Sequence, residues 1–133
     1  PCIITPHPGE AARLLGTNPQ SVQSDRLAAL AELQAMTNAI VVVKGAGTLV
    51  SDGGSTPSIC PFGNPGMSAP GRGDVLTGLI AALLAQGLAP ATAARTGVLV
   101  HALAGDSAAR RGERGLLAGE LLGELRHWLN PRH

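Results

Sequence analysis

Apolar residues follow two different spacings along this chain, one typical of strands and the other typical of helices. Residues 39–43 are continuously apolar and mostly β-branched, which predicts a strand covered on both faces, as in a parallel sheet. Residues 2–5 form a shorter β-prone run. A helix is expected to begin at Asn18-Pro19, because the apolar residues that follow recur near a 3.6-residue period. They are Val22, Leu27, Leu30, Leu33 and Met36. This order of strand, helix and strand predicts a βαβ unit.

The remaining segments extend the α/β pattern. Residues 9–16 predict one or two helical turns. Residues 48–51 and 58–60 flank the turn residues Asp52-Gly53-Gly54, which predicts a β-hairpin. A glycine-rich loop at residues 63–74 follows. Three helices are predicted after it: about residues 74–86, from Pro90 to about Arg111-Gly112, and about residues 118–129.

Composition narrows the class of protein. Apolar residues make up 44% of the 133 residues and aromatic residues only 2%, so the core must consist of Ala, Leu, Val and Ile. The net charge is +1 and the basic residues are scattered, which disfavours a nucleic-acid partner. No apolar run approaches the about 18 residues of a membrane span. Cys2 and Cys60 fit neither a metal-site spacing nor a disulfide framework, so a reduced cytoplasmic protein is the simplest expectation.

The glycine-rich loop contains the first candidate site. It runs from Gly63 to Asp74 and leads into an apolar helix. Glycine allows a ligand to approach the backbone closely, and the start of a helix offers free N–H groups to an anion. Asp74 adds a carboxylate, which suits proton transfer beside a bound phosphoryl group. Alternatively, Asp74 caps the helix, and the two roles can coexist.

The segment Lys44-Gly45-Ala46-Gly47-Thr48 follows the clearest predicted strand. Ligands of open α/β sheets bind at the carboxyl ends of strands, so Lys44 is placed to neutralise phosphate charge. The order of Gly, Lys and Thr differs from that of a P-loop. The competing interpretation is a tight turn with a solvated lysine.

Several other polar residues have a structural and a functional interpretation. His7 lies between Pro6 and Pro8, which restrict the loop as in a binding site; alternatively it is a surface residue. Glu10 is equally well explained as a partner of a helix dipole. His101 is expected to be a hydrogen-bonded core histidine, and Asp106 to take part in polar packing.

Taken together, these motifs resemble those of one enzyme family. They occur in a fixed order and cover nearly all 133 residues: Thr5-Pro6-His7-Pro8-Gly9-Glu10, Lys44-Gly45-Ala46-Gly47-Thr48, Gly63-Asn64-Pro65-Gly66-Met67, Gly73-Asp74-Val75-Leu76-Thr77-Gly78, His101-Ala102-Leu103-Ala104-Gly105-Asp106 and Gly115-Leu116-Leu117-Ala118. The chain closely resembles the ADP/ATP-dependent NAD(P)H-hydrate dehydratases of the ribokinase-like superfamily. The resemblance implies a three-layer α/β/α sandwich, of which residues 1–133 would form the C-terminal half of one domain.

The resemblance also implies an activity. Such enzymes are lyases that repair hydrated NADH and NADPH: a nucleotide phosphorylates the ring hydroxyl, phosphate is eliminated, and the dihydropyridine is restored. The implied cofactors are ADP or ATP with Mg²⁺. Association with further copies of the chain or with the missing N-terminal half is left open.

By motif match, the resemblance assigns roles to particular residues. Asp74 would be the general base facing the substrate hydroxyl, and His7 would contact the hydrated dinucleotide. The AMP portion of the nucleotide would be held by Lys44, Gly45, Ala46, Gly47, Thr48 and Gly73. Backbone amides around Gly71, Arg72 and Gly73 would form the anion hole. No residue is assigned as a metal ligand.

Two departures from the family pattern keep alternatives open. The family usually has Ala-Thr-Gly-Gly-Ser/Thr-Gly-Asp where this chain has Ser68-Ala69-Pro70-Gly71-Arg72-Gly73-Asp74. Pro70 removes one backbone N–H, while Arg72 adds a cation that either assists phosphate binding or fills the pocket. The family's N-terminal half is also missing. The alternatives are a ribokinase-like kinase for hydroxymethylpyrimidine or a thiazole alcohol, and a degenerate, non-catalytic nucleotide-binding module.

Overall fold

The computed structural model describes residues 2–54 and 56–130. Their sheet has four strands in the order β1 (Ile3–Ile4), β2 (Ile40–Val43), β3 (Leu49–Ser51) and β4 (Ser58–Ile59). β1 and β2 are parallel, whereas β2, β3 and β4 pair antiparallel. The predicted hairpin is therefore confirmed. The parallel arrangement holds only for β1 and β2, because the short hairpin connection returns the chain in the opposite direction.

Six α-helices cover the two faces of this sheet. They are α1 (Pro8–Leu15), α2 (Pro19–Ser24), α3 (Arg26–Thr37), α4 (Arg72–Ala85), α5 (Pro90–Ala109) and α6 (Ala118–Leu129), with a short 3-10 helix at Pro65–Ser68. One hydrophobic core lies between the sheet and α1–α3, and a second lies between the sheet and α4–α6. The described part of the chain thus has three layers, helix, sheet and helix, as expected.

Strand β2 lies between the two cores. Val41 and Val43 belong to the core on the α1–α3 side, whereas Val42 belongs to the core on the α4–α6 side. All three side chains are fully buried. This confirms that the uninterrupted apolar run is a strand covered on both faces.

The predicted helix after Asn18-Pro19 is two helices rather than one. Asp25 separates α2 from α3 with a backbone φ of −149° and ψ of 83°, and its side chain accepts a hydrogen bond from the Ala28 N–H at 3.0 Å. A capping aspartate of this kind competes with continued helix. The predicted apolar stripe is correspondingly wrong at Leu27 and Met36, which are about half exposed.

The three C-terminal helices lie close to their predicted positions. α5 is buried along much of its length and packs against both α4 and α6. Small residues allow this: a Cβ added at Gly97 would lie 2.6 Å from Cγ1 of Ile80 on α4. Close packing of Ala- and Gly-rich helices therefore replaces the aromatic contacts that the composition lacks.

Arg72, the first residue of α4, does not follow this apolar pattern. Its side chain is 1% exposed, and its Nε and Nη1 atoms have no hydrogen-bond partner among the described residues. A buried donor without an acceptor loses its hydration without replacement. We therefore expect the buried guanidinium to lower the stability of the chain.

We expect the Arg72→Met substitution to stabilise the chain. Methionine keeps an unbranched, flexible side chain of comparable length and removes the unpaired donors, so the free energy of unfolding should rise by about 1–3 kcal/mol. Urea denaturation followed by circular dichroism measures this change. A lower free energy of unfolding in the variant would contradict the prediction. Arg126→Met, at an exposed position of α6, is the matched control and should change little.

Candidate functional site

The glycine-rich loop ends at the start of α4 without a side-chain cap. Gly71 occupies the N-cap position with a positive φ of 89°, and no side chain accepts a hydrogen bond there. Asp74 is the third residue of the helix and is exposed. The alternative that Asp74 caps α4 is therefore wrong. The first N–H groups of α4 have no acceptor one turn earlier in the helix, which leaves them suited to an anion.

A pocket of about 370 Å³ lies at this end of the sheet. Thr5 and Pro6 follow β1, and Lys44 follows β2. The Lys44 N–H donates to the Pro6 carbonyl at 3.0 Å, which extends the pairing of the parallel strands to their ends. The pocket is lined by Ile4, Thr5, Pro6, Glu10, Leu14, Lys44, Gly73, Asp74 and Thr77. It thus lies where ligands bind in open α/β sheets.

Lys44 reaches from the end of β2 to the first turn of α4. A Cβ added at Gly73 would lie only 2.7 Å from the Lys44 Nζ atom. Any side chain at residue 73 would therefore displace the ammonium group. The absence of a side chain at Gly73 brings a cation, the free N–H groups of a helix and the Asp74 carboxylate into one pocket.

Two threonines connect the pocket walls. The Thr5 and Thr77 hydroxyl oxygens are 3.3 Å apart, and the Thr77 hydroxyl donates to the Gly73 carbonyl at 3.0 Å. This contact fixes the end of β1 against the first turn of α4. Neither threonine was predicted as a site residue, although both lie within motifs that carry the resemblance.

His7 is the N-cap residue of α1, and its side chain is exposed. Its Nδ1 atom accepts from the Glu10 N–H at 3.1 Å, while Oε2 of Glu10 accepts from the His7 N–H at 2.8 Å. The neutral ring therefore carries its proton on Nε2, since Nδ1 is an acceptor. This reciprocal capping box confirms the helix-start interpretation of Glu10. It also holds the Glu10 carboxylate at the pocket, where it was not predicted.

The turn after β2 is fixed by an arginine from α3. Arg26 donates from Nη1 to the Ala46 carbonyl at 2.5 Å and from Nη2 to the Val43 carbonyl at 3.2 Å. Partial burial lowers the pKa of Arg26, but the group stays charged at neutral pH. The turn is thus not a loosely solvated one, and the half-buried Lys44 extends from an anchored segment.

Helix α5 anchors the other end of the glycine-rich loop. Asp106 accepts hydrogen bonds from the Gly63 N–H at 3.0 Å and from the Asn64 Nδ2 group at 2.9 Å. A Cβ added at Gly105 would clash with the Met67 sulfur. The buried His101 contacts the Arg72 carbonyl through Nε2 at 3.0 Å. The structural expectations for Asp106 and His101 are both confirmed.

The structure brings together some of the predicted site residues and not others. Lys44, Gly73 and Asp74 line the one pocket. The remaining predicted residues are absent from its lining: His7, Gly45, Ala46, Gly47, Thr48, Gly71 and Arg72. The Arg72 side chain is buried and does not line this pocket. The functional roles assigned to all these residues stay predictions.

Two features are absent from the described residues 2–54 and 56–130. No described helix is long and apolar enough to cross a membrane. The same residues contain no group of three or more His, Cys, Asp or Glu side chains that could hold a metal ion.

Comparison with known proteins gives a consistent result. Residues 1–127 match the family model described as NAD(P)H-hydrate dehydratase. The chain is 50% identical over 130 residues to a bifunctional NAD(P)H-hydrate repair enzyme of Coxiella burnetii, covering 97% of this chain and 27% of that protein. It is 45% identical to the ADP-dependent (S)-NAD(P)H-hydrate dehydratase of Neisseria meningitidis, covering 98% of this chain and 44% of the relative.

Solved structures agree. The ADP/ATP-dependent NAD(P)H-hydrate dehydratase of Bacillus subtilis, co-crystallised with ATP/Mg²⁺ and soaked with CoA, superposes with a TM-score of 0.90 at 30% identity, covering 96% of this chain and 47% of that one. A ribokinase-like superfamily protein of Enterococcus faecalis gives a TM-score of 0.79 at 30% identity, covering 95% of this chain and 43% of the other. The chain thus spans less than half the length of these relatives. It has a ribokinase-like α/β fold and belongs to the NAD(P)H-hydrate dehydratase family.

Proposed function

We propose that this chain carries the catalytic pocket of an ADP/ATP-dependent NAD(P)H-hydrate dehydratase. One observation supports the proposal above all: Lys44, Gly73 and Asp74 meet in one pocket at the carboxyl ends of β1 and β2. A cation and free helix N–H groups suit a phosphoryl group, and the carboxylate suits the proton of the group that receives it.

The proposed chemistry has two stages. Asp74 accepts the proton of the substrate ring hydroxyl while that oxygen attacks the terminal phosphorus of the nucleotide. A P–O bond to the nucleotide breaks, and the ring then carries a phosphate ester. In the second stage the C–O bond breaks and phosphate leaves, a proton is lost from the adjacent ring carbon to solvent, and the C–H electron pair forms the dihydropyridine double bond. Phosphorylation is useful because phosphate is a far better leaving group than hydroxide.

Nucleotide binding is assigned to the loop after β2 and the start of α4. Lys44 neutralises phosphate charge, and residues 45–48 hold the AMP portion together with Gly73. The amides of residues 71–73 receive the phosphoryl oxygens. His7 contacts the hydrated dinucleotide through its outer ring nitrogen, since its Nδ1 is engaged in the helix cap.

The pocket also suits Mg²⁺ held mainly by a nucleotide. Two carboxylates, Glu10 and Asp74, line it, and the described residues offer no larger cluster. Mg²⁺ commonly binds through one or two carboxylates and substrate phosphates, as this donor set allows. When bound, the ion neutralises phosphate charge. Lys44 and the helix N–H groups then orient the transferred group.

Residues 1–133 are further proposed to form the C-terminal half of a larger domain. The edge of β1 away from β2 pairs with no other strand of the described residues. Beside it lies a mainly apolar groove of about 380 Å³, lined by Ile3, Thr5, Thr77, Ile80, Ala81, Leu84 and Pro90. A free parallel edge beside an apolar groove is normally covered. The relatives, more than twice as long, contain the additional chain needed to cover it.

A chimera tests the function directly. We expect that this chain, replacing the matching part of the Neisseria meningitidis dehydratase, will restore the dihydropyridine absorbance of hydrated NADH in the presence of ADP or ATP. A phosphorylated product without recovered absorbance would instead favour a ribokinase-like kinase. A folded chimera that binds nucleotide without either reaction would favour the non-catalytic module. Recovery of activity by Pro70→Gly with Arg72→Ser would then assign the defect to the loop.

In the active chimera, Asp74→Asn should lower kcat by about 10²–10⁴-fold, because the amide cannot accept the hydroxyl proton. Nucleotide affinity should change little. Glu120→Gln is the matched control, since Glu120 is also an acidic residue in the first turn of a helix. Steady-state rates of both variants measure the difference, and an unchanged kcat in Asp74→Asn would refute the role of base.

Arg26→Met should weaken nucleotide binding by about ten-fold while leaving kcat nearly unchanged. The substitution removes two hydrogen bonds that anchor the turn after β2, each contributing about 1 kcal/mol or more. Isothermal titration with Mg²⁺ and ADP measures the affinity. Arg13→Met, at an exposed position of α1, is the control. Equal affinity in both variants would show that the anchored turn does not bind the nucleotide.

A further inference from the structure

The buried His101 contacts the candidate site through a single backbone carbonyl. Its Nε2 atom lies 3.0 Å from the carbonyl oxygen of Arg72. A carbonyl oxygen can only accept, so Nε2 carries the proton and donates it. The pKa of His101 is lowered, chiefly by burial and further by the positive charges of Lys44 and Arg72, although the bond to the Arg72 carbonyl opposes this. The imidazole is therefore neutral at physiological pH.

This hydrogen bond acts on a peptide group that borders the pocket. The Arg72 carbonyl and the Gly73 N–H belong to the same planar peptide unit and point in opposite directions. The carbonyl of Arg72, the first residue of α4, also accepts within the helix, so the imidazole is a second donor to the same oxygen and further restricts the direction of the N–H. Gly73 is the second residue of α4, where the N–H has no acceptor within the helix. It lines the pocket and lies against the Lys44 ammonium group.

We propose that His101 is a positioning residue for anion binding, which acts through the Arg72–Gly73 peptide to direct the Gly73 N–H at a phosphoryl oxygen of the nucleotide. The inference rests on the proposed function. It adds a residue to which neither the motif match nor the pocket lining assigns a role. Donation to the carbonyl oxygen also polarises the peptide and strengthens its N–H as a donor.

The local packing argues against a purely space-filling role. The neighbouring buried residues of α5 are apolar, and the helix packs closely against α4. An imidazole in such surroundings loses hydration that an apolar side chain would not lose. A leucine would fill the volume without that cost, but it could not donate to the Arg72 carbonyl.

The first test compares His101→Gln with His101→Leu. The glutamine amide can place a donor where Nε2 lies, whereas leucine cannot. With Mg²⁺ and ADP as the titrated ligand, His101→Leu should bind about ten-fold more weakly, and His101→Gln should stay within about two-fold of the parent chain. Val98→Ala, a core change on the same helix, should lower thermal stability without weakening binding.

The second readout needs no nucleotide. In ¹⁵N–¹H spectra of the free chain, the amide resonance of Gly73 should shift in His101→Leu and return toward its parent position in His101→Gln. If neither the parent chain nor the parent chimera binds ADP, the proposed nucleotide site fails, and the Gly73 resonance alone decides whether His101 orients the peptide. If His101→Leu does not fold, His101→Asn replaces it, because its shorter amide cannot reach the carbonyl. Unchanged ADP affinity together with an unchanged Gly73 resonance would overturn the inference.

Discussion

The full burial of strand β2 is the constraint on which the arrangement of this molecule depends. Val41 and Val43 pack on one face of β2 and Val42 packs on the other. Both faces of the strand are therefore buried, and neither can present a polar side chain to solvent. The first polar residue after it, Lys44, therefore emerges at the carboxyl edge of the sheet. The parallel partner β1 brings Thr5 and Pro6 to the same edge. The pocket thus lies at the carboxyl ends of β1 and β2 because the buried strand β2 has no polar side chains of its own.

Gly73 lines the same pocket from helix α4, in the layer packed against the sheet. The Lys44 ammonium group occupies the space that a side chain on α4 would need. One position therefore serves both the approach of a cation and the exposure of backbone N–H groups. Glycine has a similar role in α5. The Ile80 side chain packs against Gly97 and the Met67 side chain against Gly105, where a Cβ would clash with each. Small residues in α5 allow the loop and α4 to approach it closely.

Much of the fold could be predicted because its signals are local. The apolar run of β2 and the Asp-Gly-Gly turn each depend on neighbours a few residues away. The break at Asp25 could not be predicted, because its residue types also fit a continuous helix; only the side-chain bond to the Ala28 N–H separates α2 from α3. Arg26 was missed for a different reason. An arginine at a helix start resembles surface charge until the turn 20 residues later folds against it.

The site divides in the same way. Asp74, Lys44 and Gly73 could be found because glycines and charged residues at the ends of predicted elements are conspicuous. Thr5, Thr77 and Glu10 line the same pocket and lie within the quoted motifs, but the motif match assigns no role to them. Their contribution depends on the distance between β1 and α4, which no local pattern contains.

The shortage of aromatic residues has one further consequence. The chain contains one Trp and no Tyr, and the Trp128 indole donates to the Ser107 hydroxyl at 3.0 Å, joining α6 to α5. Tryptophan fluorescence from this chain consequently originates at Trp128, in the contact between α5 and α6. The wavelength and quenching of this emission would follow the contact between α6 and α5, and a change in them would report that α6 has separated from α5.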